Sequence, residues 1–289
     1  MNLILTNAKG QKLDLLNNRD KFVLFQAEAL HGIETDISET ESPYMDGVNI
    51  ESVKALPRGI ELTFKLTGEV KESIDFFTSV VKSKQYITLT EKTEDKEISI
   101  KGIATIPPYT RMSNFCEITL SIYCGQPYWQ DVKMVIGAIS SILDLLTFPS
   151  NGRGFTAIGI PFGLVDTSLE KTFDNDGDTS VGMTIYINAR GEVKNPRLSC
   201  STGTQNGWFM ELGLTLHDGD EVEISTEKGN KYILVNGSSY YEAQPILNYL
   251  TFVGKDWLQL EIGENTFNIG ASSGVDLLSF TINYKRKFE

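Results

Sequence analysis

The sequence predicts a mainly β chain: an N-terminal β-sandwich or split-barrel-like domain carrying one helix, a short helical connector, and a C-terminal β-sandwich. Three observations carry this. Short runs such as Ile60–Leu66 and Ile118–Cys124 alternate apolar and polar residues with period two, as strands with one buried face do. Apolar spacing of three and four residues marks two further stretches as helical, around Ile74, Phe77 and Val81 and again between Asp131 and Leu146. Of the 25 glycines, 17 follow residue 150, where they punctuate short alternating runs as sandwich turns do.

In chain order, Leu3–Leu5 and Phe22–Gln26 are short strand candidates. Thr35–Ser42 is acidic and lacks apolar periodicity, and it leads into Pro43-Tyr44-Met45-Asp46-Gly47-Val48, a turn built on Asp-Gly. That combination reads as an exposed loop or hairpin arm. Ile60–Leu66 gives the cleanest half-buried strand of this half, and Val70–Ser83 gives the helix. Tyr86–Thr90 and Ile98–Ile103 flank the charged turn Glu91–Glu97 and read as a hairpin, after which Pro107-Pro108 breaks the chain. Phe115–Tyr123 is the next strand. Pro127 lacks the N–H that a ladder needs, so pairing should fail across Cys124–Trp129. This stretch marks a domain edge, with Pro127, Tyr128 and Trp129 as candidate interdomain packing residues.

Beyond it, Val132, Ile136, Ile139, Leu143 and Leu146 form a helical stripe, read as a connecting helix. Phe148–Phe162 holds too many glycines and prolines for a regular element and reads as a linker. The expected domains are therefore 1–130, a connector over 131–162, and 163–289. In the last of these, Met183–Ile187, Trp208–Leu216 and Leu278–Tyr284 alternate. His217–Asp220, Lys228–Asn230 and Asn236-Gly237 supply turns between strands.

Composition narrows the function. The formal charge of -12 and pI near 4.8 oppose phosphate-driven binding, so no nucleic-acid contact is expected. Lys285-Arg286-Lys287 reads as a solvated strand end. The amino terminus lacks the features of a secretory signal, and the apolar segment Met134–Phe148 contains Asp144 and is too short to span a bilayer. A cytoplasmic start without a membrane anchor is expected. Cys116, Cys124 and Cys200 are odd in number and imply no disulfide framework.

Chemistry finds no foothold in the motifs. His31 and His217 stand apart from any ligand spacing. Asp174-Asn175-Asp176-Gly177-Asp178-Thr179 suggests a calcium loop, but its glycine is fourth rather than sixth and Ile185 stands where the bidentate glutamate belongs. A polar turn entering a strand explains it better. No dinucleotide fingerprint, Walker lysine or nucleophile elbow is present. The expectation is therefore a non-enzyme with no catalytic residues, no metal and no cofactor. Tyr240, Tyr241 and Tyr249 could stack on sugars, which leaves a carbohydrate-binding module recognising host cell-wall glycan as the alternative.

A set of residues in order resembles one family. Asn175-Asp176-Gly177-Asp178 followed by Gly191-Glu192-Val193-Lys194-Asn195-Pro196 resembles the second domain of siphophage distal tail proteins. Leu216-His217-Asp218-Gly219-Asp220 with Ile224-Ser225-Thr226, and Leu260-Glu261-Ile262-Gly263-Glu264-Asn265, are similar to that family's strand pair and its turn before the last strands. Asp46-Gly47, Arg58 and Cys124 with Pro127-Tyr128 extend the resemblance into the first half. It implies a baseplate hub of a phage or prophage tail: a hexameric ring continuing the tail tube, with a galectin-like sandwich arranged around it. The implied partners are further copies of the chain, the tail tube protein, the tail-tip or tail-associated protein and a receptor-binding protein, with no membrane. The implied location is the virion tail tip, after assembly in the bacterial host cytoplasm. On this reading Pro43, Tyr44, Met45, Asp46, Gly47 and Val48 are the candidate subunit-interface arm, since exposed strand edges offer backbone groups to a neighbour's sheet. Family members that carry an inserted sugar-binding module differ, for this chain has no room for one.

Overall fold

The computed structural model describes residues 2–15, 17–44, 46–66, 69–109, 116–140, 142–144, 163–165, 169–237 and 240–289. The expected linker over Phe148–Phe162 lies outside them. The chain forms two units, residues 1–133 with 287–289, and residues 134–286.

The first unit is built on strands β1 (Asn2–Asn7), β2 (Lys12–Asp14), β3 (Phe22–Glu28), β4 (Thr35–Glu41), β5 (Val48–Ala55) and β6 (Arg58–Leu66). Helix α1 (Val70–Val80) follows, then β7 (Tyr86–Lys92), β8 (Glu97–Thr105), β9 (Cys116–Cys124) and β10 (Trp129–Asp131). Its main sheet runs β2-β1-β7-β8-β9-β6-β3 and stays open, since β2 and β3 end the path without pairing to each other. Alternation dictates the burial: Ile60, Leu62, Phe64 and Leu66 of β6 are each fully buried while Gly59 and Glu61 face out. Helix α1 forms where apolar residues recur at helical spacing, and it buries Val70, Phe77 and Val80. The Phe77 ring lies 5.5 Å from that of Phe64 and 6.1 Å from that of Phe22, so the helix seals one end of the sheet's apolar face. It ends at Val81, which turns extended and donates its N–H to the Phe77 carbonyl.

The second unit contains β11 (Val135–Ser140), β12 (Ile142–Asp144), β13 (Gly163–Val165), β14 (Glu170–Asn175), β15 (Met183–Ala189), β16 (Val193–Lys194), β17 (Arg197–Cys200) and β18 (Phe209–Leu212). It continues through β19 (Thr215–Leu216), β20 (Glu221–Ser225), β21 (Tyr232–Gly237), β22 (Tyr240–Pro245), β23 (Leu250–Val253), β24 (Gly263–Gly270) and β25 (Leu278–Tyr284). The final strand, β26 (Lys287–Phe288), returns to the first unit and pairs with β10. Two sheets, β11-β25-β15-β20-β21-β22 and β14-β24-β17-β18-β23, form the expected sandwich. Their inward residues share one core, in which Phe173 of β14 meets Tyr284 of β25 edge-on at 6.4 Å.

The expected connecting helix is instead strand. Residues 135–140 form β11, paired along its length with β25, and residues 142–144 form β12. Inward positions of β11 are Val135, Gly137 and Ile139, and a Cβ at Gly137 would overlap the Phe173 ring. The glycine removes an apolar residue from the period-two pattern, while Ile136 faces out at 66% exposure and completes a false helical stripe. The expected single strand Trp208–Leu216 also divides, into β18 and β19, with Gly213 between them.

The turn motifs have a structural explanation. Asn175 is buried, donates to the carbonyls of Thr179 (3.0 Å) and Leu260 (3.2 Å), and accepts from the Gly177 N–H (3.2 Å). Asn265 closes the turn before it by donating to the carbonyls of Glu261 (2.8 Å) and Gly263 (2.7 Å), where Gly263 takes the left-handed φ of 87°. Asp220 caps its turn by accepting from the His217 N–H at 2.9 Å.

Candidate interaction site

The feature that stands out from both cores is the hairpin β4–β5. Its register continues that of β3–β6: Glu28 faces Glu61 where the main sheet stops, and Thr35 faces Ala55 where the arm starts. One long hairpin is thus divided by a corner, in which Ala29 (φ 53°) and Gly32 (φ 82°) take left-handed conformations and Leu56 donates its N–H to Glu34. Before the corner the strands belong to the main sheet, β6 in its interior and β3 at its edge. Beyond it every described residue of β4 is exposed, and β5 is exposed up to Lys54.

The arm's composition accounts for this. It carries Glu34, Asp36, Glu39, Glu41, Asp46 and Glu51 against Lys54, so it has no stripe wide enough to bury against its own domain. Yet Ile50 at 62%, Val53 at 60%, Ile37 at 49% and Tyr44 at 97% exposure leave apolar surface in water. Both outer edges of the hairpin lack a partner strand among the described residues. A two-stranded ribbon of this kind has little stability by itself.

What holds it is its root. The Leu30 carbonyl accepts two buried donors, Arg58 Nη1 at 2.8 Å and Trp129 Nε1 at 2.9 Å. His31 stacks on the Trp129 ring at 6.1 Å, and its Nε2 lies 3.3 Å from the Glu91 carboxylate. Arg58 is nearly fully buried, and its Nε and Nη2 have no hydrogen-bond partner among the described residues. Burial accordingly holds its guanidinium below the ordinary value, with Cys124 and Glu289 pulling the other way. Burial likewise pushes the Cys124 thiol up to about 11, against the opposing pull of Arg58.

The sequence-derived residues fall as follows. Pro43, Tyr44, Asp46, Gly47 and Val48 sit at the arm's tip, and Met45 lies outside the described residues. Pro127 and Trp129 are buried within the first unit, and Tyr128 is half-buried there beside a groove of about 610 Å³ also lined by Tyr86, Ile103 and Tyr123. The failure of pairing across Pro127 is local. Tyr123 faces Ile103 of β8, the chain loops out, and Gln130 then faces Ser99 of the same strand. The role of Leu30 and the convergence of His31, Arg58 and Trp129 on one point were not legible in the sequence, because a backbone carbonyl leaves no composition signal. The nearest clue is Arg58 at an inward position of β6, in line with the apolar Ile60, Leu62, Phe64 and Leu66. Tyr249 is exposed, and the side chains of Tyr240 and Tyr241 lie outside the described residues.

Among the described residues no cluster of three or more acidic, histidine or cysteine side chains could hold a metal ion. No described helix is long and apolar enough to cross a membrane.

Known proteins resemble the chain in part of its sequence and in its fold. Residues 176–288 match the family model described as siphovirus-type tail component, C-terminal domain. No curated protein matches the chain in sequence. Among solved structures the chain shares its fold with the Dit protein of phage SPP1, described as a paradigm of the hub adsorption apparatus in phages infecting Gram-positive bacteria. The TM-score is 0.65 at 15% identity, over 99% of each chain. A chain of the phage P2 baseplate in its activated, calcium-containing conformation aligns at TM-score 0.42 and 15% identity, over 99% of this chain and 97% of the other. The resemblance to siphophage tail components is thus borne out, by sequence over residues 176–288 and by fold over the whole chain.

Proposed function

We propose that this chain is a structural hub of a siphophage or prophage baseplate, acting in the virion tail after assembly in the bacterial host cytoplasm. Copies form a hexameric ring that joins the tail tube protein to the tail-tip protein and the receptor-binding apparatus. The observation that carries this is the match of residues 176–288 to the siphovirus tail-component domain, on a chain whose two-unit fold aligns from end to end with SPP1 Dit. The role is one of shape and interface rather than chemistry, and the acidic net charge of -12 keeps free protomers soluble before assembly.

In this reading the arm is a subunit interface, with Pro43–Val48 at its tip. An exposed, edge-bearing ribbon is a liability in a monomer and an asset in a closed ring, where repeated heterologous contacts use up every edge. Electron microscopy of the purified protein tests the proposal directly. Six-fold rings with an open centre are expected; particles that remain single protomers at high concentration, with tube and tip partners added, would refute it.

A further inference from the structure

We infer that the arm of one copy docks in the groove beside the free edge of β3 on a second copy. This deepens the reading of the arm as a subunit interface and rests on it. The groove, of about 450 Å³, is lined by Asn2, Leu3, Leu15, Arg19, Phe22, Val23 and Leu24, so among the described residues it is a largely apolar trough with one amide and one cation. It lies where the open sheet comes closest to closing. β3 pairs with β6 on one side and has no partner strand among the described residues on the other. Alternate residues of its seven therefore turn backbone N–H and C=O groups away from β6, next to apolar walls, which is the geometry that an added strand completes beyond Phe22, whose N–H is given to the Asn18 carbonyl at 2.8 Å.

The arm is the matching element. Its strands are seven and eight residues long, their outer edges are free, and Ile37, Val48, Ile50 and Val53 stand in water. Charge selects between partners. The arm bears six carboxylates against Lys54, whereas the groove presents Arg19, which is exposed and forms no ion pair among the described residues, while Asp20 and Lys21, next along the chain, offset each other. The nearby Asp14 carboxylate keeps its charge while accepting from the side-chain amides of Asn2 (3.0 Å) and Asn17 (2.8 Å), so the contact offered to the arm is Arg19 itself, the charged residue that lines the groove.

The occupant is a second copy rather than the same chain. The groove flanks Phe22–Leu24 at the start of β3, and the arm leaves from beyond Glu28, so a chain's own groove lies roughly 20 Å behind the root of its arm at about 3.3 Å per residue.

Cysteine cross-linking tests this, since the native Cys116, Cys124 and Cys200 are all buried. Val23→Cys is combined in turn with Ile37→Cys, Ile50→Cys and Val53→Cys in the full-length protein, and the assembled material is mildly oxidised. At least one pair is expected to give a ladder of linked copies, and a mixture of the two single variants of that pair to give a two-copy product. Val253→Cys, exposed on the second unit, replaces Val23→Cys as the control and is expected to give neither. Rings without any such cross-link, or equal linkage to Val253→Cys, would overturn the docking site and leave the hub reading standing. Absence of both rings and cross-links would overturn both. As an independent arm, Arg19→Glu is expected to weaken self-association roughly tenfold, with recovery in the Arg19→Glu, Glu41→Arg double variant. Unchanged association of Arg19→Glu would count against the proposal.

Discussion

The two halves of one hairpin make the most instructive comparison in this molecule. β3–β6 and β4–β5 share strand direction and nearly continuous register, yet β6 buries every second residue while β5 is exposed along almost its whole length. The difference lies in what the side chains can reach. β6 lies against β9 on one side and α1 on its apolar face, so each inward residue finds a partner. The arm has spent its composition on carboxylates and kept a few isolated aliphatics, so its own domain holds it at the root and not along its length. In the proposed hub, the ribbon's burial lies in another copy of the chain.

Four perturbations probe that contrast, with expected effects of decreasing size. Phe64→Ala, inside the embedded half, should cost about 3–5 kcal/mol because it empties a fully buried site facing Phe77. Chemical denaturation followed by circular dichroism measures it, and a loss below about 1 kcal/mol would mean that the embedded half is not the anchor.

Raising the pH addresses the core just behind the root. With the Cys124 thiol pushed up to about 11 in the folded state, folding favours the protonated thiol. That stabilisation is fully present below the ordinary thiol value near 9 and is lost as pH climbs towards 11, by up to about 3 kcal/mol. Melting temperature against pH should therefore fall more steeply over this window in the parent than in Cys124→Ala.

Trp129→Phe removes one of the two donors to Leu30 while retaining a ring, and should cost about 1–2 kcal/mol. Protease cleavage within Leu30–Glu34 should rise with it, since the corner loses a fixed point. Unchanged cleavage there would show that Arg58 alone sets the root.

Ile50→Ala, at 62% exposure in the arm, should change protomer stability by less than about 0.5 kcal/mol while it weakens assembly. An effect on stability as large as that of Phe64→Ala would erase the distinction between the two halves.

What the sequence disclosed follows the same physics. β6, β9, β15 and β25 were legible because one-sided burial writes period two into the chain, as at Ile60, Leu62, Phe64 and Leu66. The arm was legible for the converse reason, an acidic run ending in Asp46-Gly47 with no periodicity at all. β11 was misread as helix because packing against Phe173 demands Gly137 at an inward position, which removes the residue that would have declared a strand. The root was illegible because its centre is the Leu30 carbonyl, reached from residues 28 and 99 positions away in the chain. Sequence pattern reports which face is buried. It does not report which distant donors meet at one backbone oxygen.

The central claim is that the arm serves assembly and contributes nothing essential to the fold of the protomer. It is tested most directly by replacing residues 35–54 with a two-residue Asn-Gly turn and comparing native mass spectra and melting curves of the shortened and parent chains. The account predicts six-copy assemblies for the parent, and for the shortened chain single protomers with a melting temperature within a few degrees of the parent protomer's. A shortened chain that still assembles into six-copy rings would contradict it.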